Sequence, residues 1–128
     1  MNAAKEGLHL MSKRILIAED EQAAREIMTT LAKMQGYDVI AVDNGVDLLT
    51  VASEERFDVV ITDLMMADLD GASAAEIMKL QGNTTPVIAL TGLSEEELSL
   101  VKDKFTRIYR KPCNFKELFD YVGSLVGK

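Results

Sequence analysis

Three consecutive acidic residues, Glu19, Asp20 and Glu21, follow a run of four apolar residues at positions 15–18. Such an apolar run is typical of a strand that is buried on both faces of a parallel sheet. Two carboxylates about 5 Å apart repel each other by about 3 kcal/mol at an effective dielectric constant near 20. Either one acid holds a proton or a cation lies among them, and oxygen ligands in a small crevice suit Mg²⁺. We therefore predict a magnesium site at the end of this strand.

Three further residues with chemically useful side chains, Asp63, Thr91 and Lys111, each end or follow an apolar, strand-like segment. Because ligands of open parallel sheets bind at the carboxyl ends of the strands, we expect all three to converge with the acids on one crevice. A carboxylate such as Asp63 can attack phosphorus and form an acyl phosphate, while Mg²⁺ and Lys111 neutralise the charge. The Thr91 hydroxyl can donate a hydrogen bond to a phosphoryl oxygen.

Each of these residues also has an ordinary structural interpretation when it is taken alone. Asp20 and Thr91 can cap helices, Asp63 can open a loop, and Lys111 can simply be solvated. Their joint occurrence at the ends of successive strands is what favours a shared site.

Strand-like apolar runs alternate along the chain with segments of helical spacing. The predicted strands cover residues 14–18, 37–42, 57–62, 86–90 and 107–110. Five strands, each followed by a helix, predict an α/β fold: a flavodoxin-like (βα)5 domain with a doubly wound parallel five-stranded sheet. The expected strand order, 2-1-3-4-5, is taken from known doubly wound folds of this type, among them a chemotaxis protein, and does not follow from the sequence itself; it opens a crevice at the ends of strands 1 and 3.

Helices are predicted between the strands, the second at about 46–55 and the third at about 72–81. Gly36 is placed to end the first helix, Ser94 and Glu97 have the spacing of a capping box for the fourth, and Asn114 can cap the last. The apolar residues predicted to face the core are Ala24, Ile27, Met28 and Leu31 in the first helix, Leu98, Val101 and Phe105 in the fourth, and Phe115, Leu118, Phe119, Val122 and Val126 in the last.

Composition limits the classes of function. The 128 residues carry a formal charge of −7, which argues against direct nucleic-acid binding because phosphates need a basic surface. No apolar run approaches the roughly 18 residues that a membrane span requires, so no membrane association and a cytoplasmic location are expected. The single cysteine, Cys113, is interpreted as a packing residue. Residues 1–12 show no period and are expected to be a flexible leader or an expression-derived tail before a domain at 13–128.

Four short motifs resemble the landmarks of one family in their order and spacing. They are "AEDE" at 18–21, "VVITDLMMADLDG" at 59–71, "ALTG" at 89–92 and "YRKP" at 109–112. Together they resemble the CheY-like receiver domains of response regulators in two-component signalling. The resemblance extends from about residue 13 to residue 126, and no single motif within it is diagnostic.

The resemblance implies roles for individual residues. Asp63 matches the phospho-acceptor, and Thr91 and Lys111 match the switch hydroxyl and the lysine of the family. Pro112 matches a proline whose preceding peptide bond is typically cis. The implied metal ligands are Asp20 directly, Glu19 through water, Asp63, and the backbone carbonyl of Met65.

The same resemblance implies a signalling switch rather than an enzyme, one that catalyses only its own Mg²⁺-dependent phosphorylation and dephosphorylation. The expected donor is a sensor histidine kinase or a histidine phosphotransfer protein, and the expected output is binding of a downstream protein. A degenerate receiver that binds partners without phosphorylation is the alternative. A flavin-binding module would need a phosphate loop where this chain has acids, and a dehalogenase-like phosphatase would need an aspartate where this chain has Met65.

The chain departs from the family at several positions. Ile108 replaces the usual aromatic three residues before the lysine, Tyr109 lies next to it, and Ala67 replaces a proline. We hypothesise that the bulky residues Met65 and Leu93 hinder a hydrolytic water and lengthen the life of the phosphoryl group. A basic segment is interpreted as a solvated sheet edge in slight preference to a docking patch; its members are Lys102, Lys104, Arg107, Arg110 and Lys111.

Overall fold

The computed structural model describes residues 12–127, and their five parallel strands form one sheet in the order β2-β1-β3-β4-β5. This arrangement confirms the predicted fold and strand order. The strand bounds agree with the predictions to within two residues, and both Asp63 and Thr91 prove to be the last residues of their strands. The strands are β1 (Arg14–Ala18), β2 (Asp38–Val42), β3 (Val59–Asp63), β4 (Val87–Thr91) and β5 (Arg107–Arg110).

Helices connect the strands and cover both faces of the sheet. Four of them begin behind a residue whose side chain accepts a hydrogen bond from the backbone amide three residues on, as the sequence predicts for Asn114 and Ser94. Gly36 has φ +90° and follows the first helix, as predicted for a C-terminal glycine. The helices are α1 (Gln22–Met34), α2 (Gly45–Glu54), α3 (Gly71–Leu80), α4 (Glu95–Ser99) and α5 (Phe115–Val126).

Alternate residues of the buried strands pack on opposite faces of the sheet, because successive side chains of a strand point to opposite sides. Ile15 and Ile17 contact the cluster under α1 and α5, whereas Leu16 contacts the cluster under α2 and α3. A third, smaller cluster of Leu64, Ala89 and Leu98 lies below α4. The near-continuous apolar runs of the sequence thus supply residues to the hydrophobic clusters on both faces of the sheet.

The prediction for the fourth helix was wrong in its length. The α-helix ends at Ser99, a 3₁₀ turn follows at Lys102–Lys104, and Phe105 is extended. Phe105 packs against both the second and the third clusters, and the amide of the next residue, Thr106, donates to the Val87 carbonyl at 2.8 Å. This chain therefore turns back to start β5 sooner than a continued helix would allow.

Ile27 was also wrongly placed in the core. Its side chain is 49% exposed, and the residues that α1 buries are Met28 and Ala32. The inward face of α1 is narrower than the apolar pattern suggests, so Ile27 lies at the rim of a surface groove described below.

Two expectations concern residues at the start of the chain and the membrane. The predicted leader at 1–12 falls, except for Ser12, outside the described residues, so the domain boundary at 13 stays a prediction. Within residues 12–127, no helix combines the length and the apolar character that crossing a membrane requires.

Candidate functional site

The predicted residues meet at the carboxyl edge of the sheet. The ammonium group of Lys111 donates to Asp63 Oδ2 at 2.6 Å and lies 3.3 Å from Glu19 Oε1. Asp63 ends β3, Glu19 follows β1, and Lys111 follows β5, so the three side chains come from three different strands. The convergence expected from the strand order is therefore present.

The two acids beside Lys111 are buried. Glu19 is 0% exposed and Asp63 is 4% exposed. The pKa of Glu19 is raised to about 7, chiefly by burial and also by the negative charge of Asp63, while the amide of Glu21 and the charge of Lys111 oppose the change. Although burial lowers the pKa of Lys111, the hydrogen bond and the charge of Asp63 outweigh it and raise that pKa above its ordinary value.

Asp20 completes an acidic cluster with these residues. Carboxylate oxygens of Glu19, Asp20 and Asp63 all lie within 4.8 Å of one another, with Asp20 exposed at the rim. Glu19 Oε1 is buried and makes no hydrogen bond with the described residues, although it contacts the lysine ammonium. A buried carboxylate oxygen that lacks a hydrogen bond is costly unless a cation satisfies it. The set of donors therefore fits a hard divalent cation such as Mg²⁺.

The loop after β3 holds Asp63 from the other side. The Met65 amide donates to Asp63 Oδ1 at 3.1 Å, so each oxygen of this carboxylate accepts one hydrogen bond. Gly71 begins α3 directly against Asp63, because a Cβ atom added there would lie 2.3 Å from the Asp63 carbonyl oxygen. The side chain of Met65 is 63% exposed, and the predicted role of its carbonyl as a metal ligand stays a prediction.

Thr91 lies at the end of β4, between the strands that carry Asp63 and Lys111. Its side chain is fully buried, and its Oγ1 accepts a hydrogen bond from the Leu93 amide at 2.9 Å. The Lys111 amide donates to the Thr91 carbonyl at 2.8 Å. Because Thr91 Oγ1 is the acceptor of the bond from the Leu93 amide, its hydroxyl proton remains available for donation to an oxygen atom near Asp63.

Comparison with known proteins identifies the family. The family model described as "Response regulator receiver domain" matches residues 15–123. The chain belongs to this family. Receiver domains are signalling switches rather than conventional enzymes, and they are phosphorylated by histidine kinases or phosphotransfer proteins. The acid cluster around Asp63 is compatible with the phosphorylation site of such a domain.

Three relatives illustrate the likeness. The alkaline phosphatase synthesis transcriptional regulatory protein PhoP of Bacillus subtilis is 31% identical over 86 residues, covering 67% of this chain and 36% of that protein. A Francisella response regulator receiver domain has a TM-score of 0.86 and 28% identity, covering 91% of this chain and 98% of that one. The receiver domain of a Pseudomonas aeruginosa sensor histidine kinase, solved with a magnesium ion in its active site cleft, has a TM-score of 0.82 and 25% identity over 91% of this chain and 99% of that one.

The receiver domain is only part of the curated relatives: the chain spans half or less of their lengths. The peptide bond between Lys111 and Pro112 is cis, as the resemblance implied. These two residues follow β5 and bring the lysine to the receiver's site.

The contacts of two arginines in this receiver were not predicted from the sequence. Arg25 on α1 reaches back so that its Nη1 donates to the Glu19 carbonyl at 3.0 Å, which holds the acidic loop after β1. Arg110 donates to the Leu93 carbonyl and to the Glu95 carboxylate. The only sequence signals were a cation six residues after Glu19 and a cation beside Lys111, and neither spacing is specific.

The interpretation of the basic segment as a solvated edge is incomplete. Sheet order makes β5 an edge strand as expected, but most cations of the segment have partners within the domain. Lys104 pairs with Glu76 at 3.2 Å, and the Arg107 guanidinium lies 4.7 Å from the Tyr121 ring centroid. Cys113 is half-buried, packs against the first cluster, and has its thiol pKa raised by burial, which agrees with a packing role.

Ile108 and Tyr109 divide between the two faces of the sheet. Ile108 packs against the third cluster below α4, whereas Tyr109 packs against the first cluster and meets the Tyr121 ring at 6.3 Å. Tyr109 therefore faces away from the side on which the replaced aromatic would lie, and it does not substitute for that residue. Any coupling of Thr91 to this edge of the receiver must use other contacts.

Proposed function

We propose that Asp63 is the residue that accepts the phosphoryl group in this receiver domain. The observation that carries the proposal is the contact of 2.6 Å between Lys111 Nζ and Asp63 Oδ2 inside a buried acidic cluster. Two hydrogen bonds fix the orientation of this carboxylate and leave a lone pair on each oxygen available for attack. Glu19 shares the burial and the acidic neighbours, but Lys111 lies 3.3 Å from Glu19 and 2.6 Å from Asp63, and Asp63 ends the central strand of the sheet.

The chemistry is a transfer from a phosphorylated histidine to an aspartate. One oxygen of Asp63 attacks phosphorus, the bond from phosphorus to the donor nitrogen breaks, and its electron pair stays with the imidazole. Lys111 holds a positive charge beside the phosphoryl oxygens as they approach, and the contact with Asp63 raises its pKa and so favours the charged form. The Thr91 hydroxyl then donates to one of these oxygens.

Mg²⁺ is part of the proposal. Glu19, Asp20 and Asp63 would hold it, with the Met65 carbonyl as the implied fourth protein ligand. What supports this assignment is the buried Glu19 oxygen without a hydrogen bond, together with the all-oxygen donor set. When bound, the ion supplies positive charge that offsets the repulsion between the carboxylates and the phosphoryl group.

An open groove beside the site offers a surface for the donor protein. It has a volume of about 530 Å³ and runs between α1 and the segment after β5, with Ile27, Pro112 and Phe115 among its lining residues. Glu19 and Lys111 line the same groove, so a donor that packs its apolar side chains against Ile27 would bring its phosphohistidine next to the site. We therefore propose this groove as the donor's docking surface.

Phosphorylation is proposed to act as a switch for protein binding. Contacts of the phosphoryl group with Thr91 and Lys111 would favour one of two arrangements of the surrounding loops. Moving such an equilibrium from mostly off to mostly on requires about 5.5 kcal/mol of differential stabilisation. The cytoplasmic location stays a prediction from the sequence.

The direct test is incubation of the protein with acetyl phosphate and Mg²⁺, followed by intact-mass measurement. We expect the wild type to gain one phosphoryl group and the Asp63→Asn variant to gain none, while Asp103→Asn, an exposed acid on the 3₁₀ turn, behaves as wild type. Chelation of Mg²⁺ should suppress the gain. Equal labelling of wild type and Asp63→Asn would refute the assignment, and no labelling of either would favour the phosphorylation-independent alternative.

A further inference from the structure

Arg110 is paired with Thr91 across the sheet. In the register of the last two strands, Thr91 of β4 lies opposite Arg110 of β5, and the next residue, Lys111, donates its amide to the Thr91 carbonyl. One short stretch of backbone therefore carries both the lysine of the site and an arginine beside the predicted switch hydroxyl.

The guanidinium of Arg110 fastens the loop between β4 and α4. Its Nη1 donates to the Leu93 carbonyl at 2.7 Å, while Nε and Nη2 donate to Glu95 Oε1 at 3.2 and 2.5 Å. A guanidinium presents its donors in a rigid, planar fork, so a single side chain can hold two residues of a loop in fixed relation.

The residue held by Arg110 is also the residue bonded to Thr91. The Leu93 amide donates to Thr91 Oγ1 at 2.9 Å, so both polar backbone groups of Leu93 are engaged. If the Thr91 hydroxyl moves toward a phosphoryl group on Asp63, the Leu93 amide either loses its hydrogen bond to Thr91 Oγ1 or moves together with that oxygen. The contact from Arg110 resists that movement.

The exposure of the Arg110–Glu95 ion pair argues against a role in the stability of the whole domain. The side chains of Arg110 and Glu95 are 45% and 85% exposed, and exposed ion pairs contribute little to the free energy of unfolding. Ile108 and Leu93 both pack against the third cluster, and Arg110 adds the polar contacts from β5 to the loop next to Thr91.

We propose that Arg110 is a positioning residue that holds Leu93, and through it the Thr91 hydroxyl, in the unphosphorylated arrangement. The inference rests on the proposed phosphorylation of Asp63. As a consequence, Arg110 lowers the fraction of molecules whose loop is arranged to receive the phosphoryl group. When only a fraction of the molecules is competent, the phosphoryl donor concentration needed for half-maximal labelling rises in inverse proportion to that fraction.

The test compares Arg110→Ala and Glu95→Gln with Lys116→Ala, which removes an exposed ion pair on α5. We expect Arg110→Ala to lower the acetyl phosphate concentration that gives half-maximal labelling by about 3- to 10-fold, the range for losing the net contribution of one ordinary hydrogen bond, because the Arg110 side chain is exposed. Glu95→Gln, which keeps the contact with the Leu93 carbonyl, should give a smaller change in the same direction. Lys116→Ala should match the wild type.

A second readout separates positioning from a general loss of structure. Hydrogen exchange of the Leu93 amide should accelerate in Arg110→Ala, while the free energy of unfolding stays equal to that of Lys116→Ala. Unchanged Leu93 exchange, or a labelling response equal to that of the control, would overturn the inference. If the wild type takes up no phosphoryl group, the proposed function fails, but the exchange measurement still decides whether Arg110 holds the loop.

Discussion

Lys111 Nζ reaches Asp63 Oδ2 at 2.6 Å although β4 lies between the two strands that carry these residues. The lysine side chain thus spans the end of β4, where Thr91 is buried beneath it. This contact joins the ends of β3 and β5 across β4, and it sets a cation against a carboxylate that has two acidic neighbours. Lys111 therefore neutralises part of the negative charge of the cluster formed by Glu19, Asp20 and Asp63.

Replacing Lys111 by methionine should destabilise the metal-free protein by about 1 to 3 kcal/mol, less than for a fully buried pair because this lysine is partly exposed. The reason is that Glu19 and Asp63 would then be buried without their cationic partner. The measurement is urea unfolding of both proteins in the presence of a chelator. Added Mg²⁺ should reduce the difference, because the ion binds the same carboxylates.

The matched control for this prediction is Lys116→Met, since Lys116 also pairs with an aspartate but lies exposed on α5. Its unfolding midpoint should equal that of the wild type. Identical midpoints for Lys111→Met and Lys116→Met would show that the contact with Asp63 does not stabilise the fold.

Glu19 should make the metal-free protein less stable as the pH rises. Because burial raises the folded pKa of Glu19 from 4.5 to about 7, the folded protein retains a proton that the unfolded chain has lost. Its contribution is complete below about pH 4.5 and is lost as the pH increases to about 7. We expect a loss of roughly 1 to 3 kcal/mol over this window.

The check is the free energy of unfolding, measured with a chelator between pH 4.5 and 7.5, for wild type and Glu19→Gln. The glutamine variant cannot lose a proton at this position, so its decline over the window should be shallower by the stated amount. Parallel curves would mean that Glu19 titrates near its ordinary pKa in the folded protein.

The strands and most of the candidate site could be predicted because they depend on local features of the sequence, whereas the strand order was taken from known folds of this type. Apolar runs that end in Asp20, Asp63 or Thr91 reveal both a buried strand and the residue at its carboxyl end. Once the strands are parallel, these ends must lie along one edge of the sheet. Local sequence and overall topology therefore point to the same residues.

The contacts that the sequence did not reveal involve long side chains and distant backbone atoms. Arg25 and Arg110 donate to carbonyl groups, and any residue type can supply a carbonyl, so no pattern marks the partner. The fourth helix failed for a related reason: the spacing of Leu98 and Phe105 fits a helix, but the position of Phe105 is decided by packing between two clusters. Tertiary contacts overrode periodicity there.

Polar replacement of Met65 should shorten the life of the phosphorylated protein. Its side chain is 63% exposed two residues after Asp63, where it can cover the approach of a hydrolytic water. Leu93 packs partly against the third cluster, so Leu93→Gln should have the smaller effect. We expect decay to accelerate several-fold in Met65→Gln, measured by intact mass after removal of acetyl phosphate.

Leu100→Gln is the control for that experiment, because Leu100 is a similarly exposed apolar residue that lies after α4 and away from the acceptor. Its decay should match the wild type. If Met65→Gln and Leu100→Gln decay at one rate, shielding by Met65 does not set the lifetime.

Gly71→Ala should disturb Asp63 through its backbone. An added Cβ atom would lie 2.3 Å from the Asp63 carbonyl oxygen, so α3 or the end of β3 must shift. Overpacking of this kind typically costs about 1 to 3 kcal/mol, and a shifted Asp63 would also meet Lys111 less well. We expect lower stability in urea unfolding and slower labelling by acetyl phosphate. Gly92→Ala is the stability control, because nothing lies within 4 Å of the Cβ position there; equal unfolding midpoints for the two variants would show that α3 yields without strain.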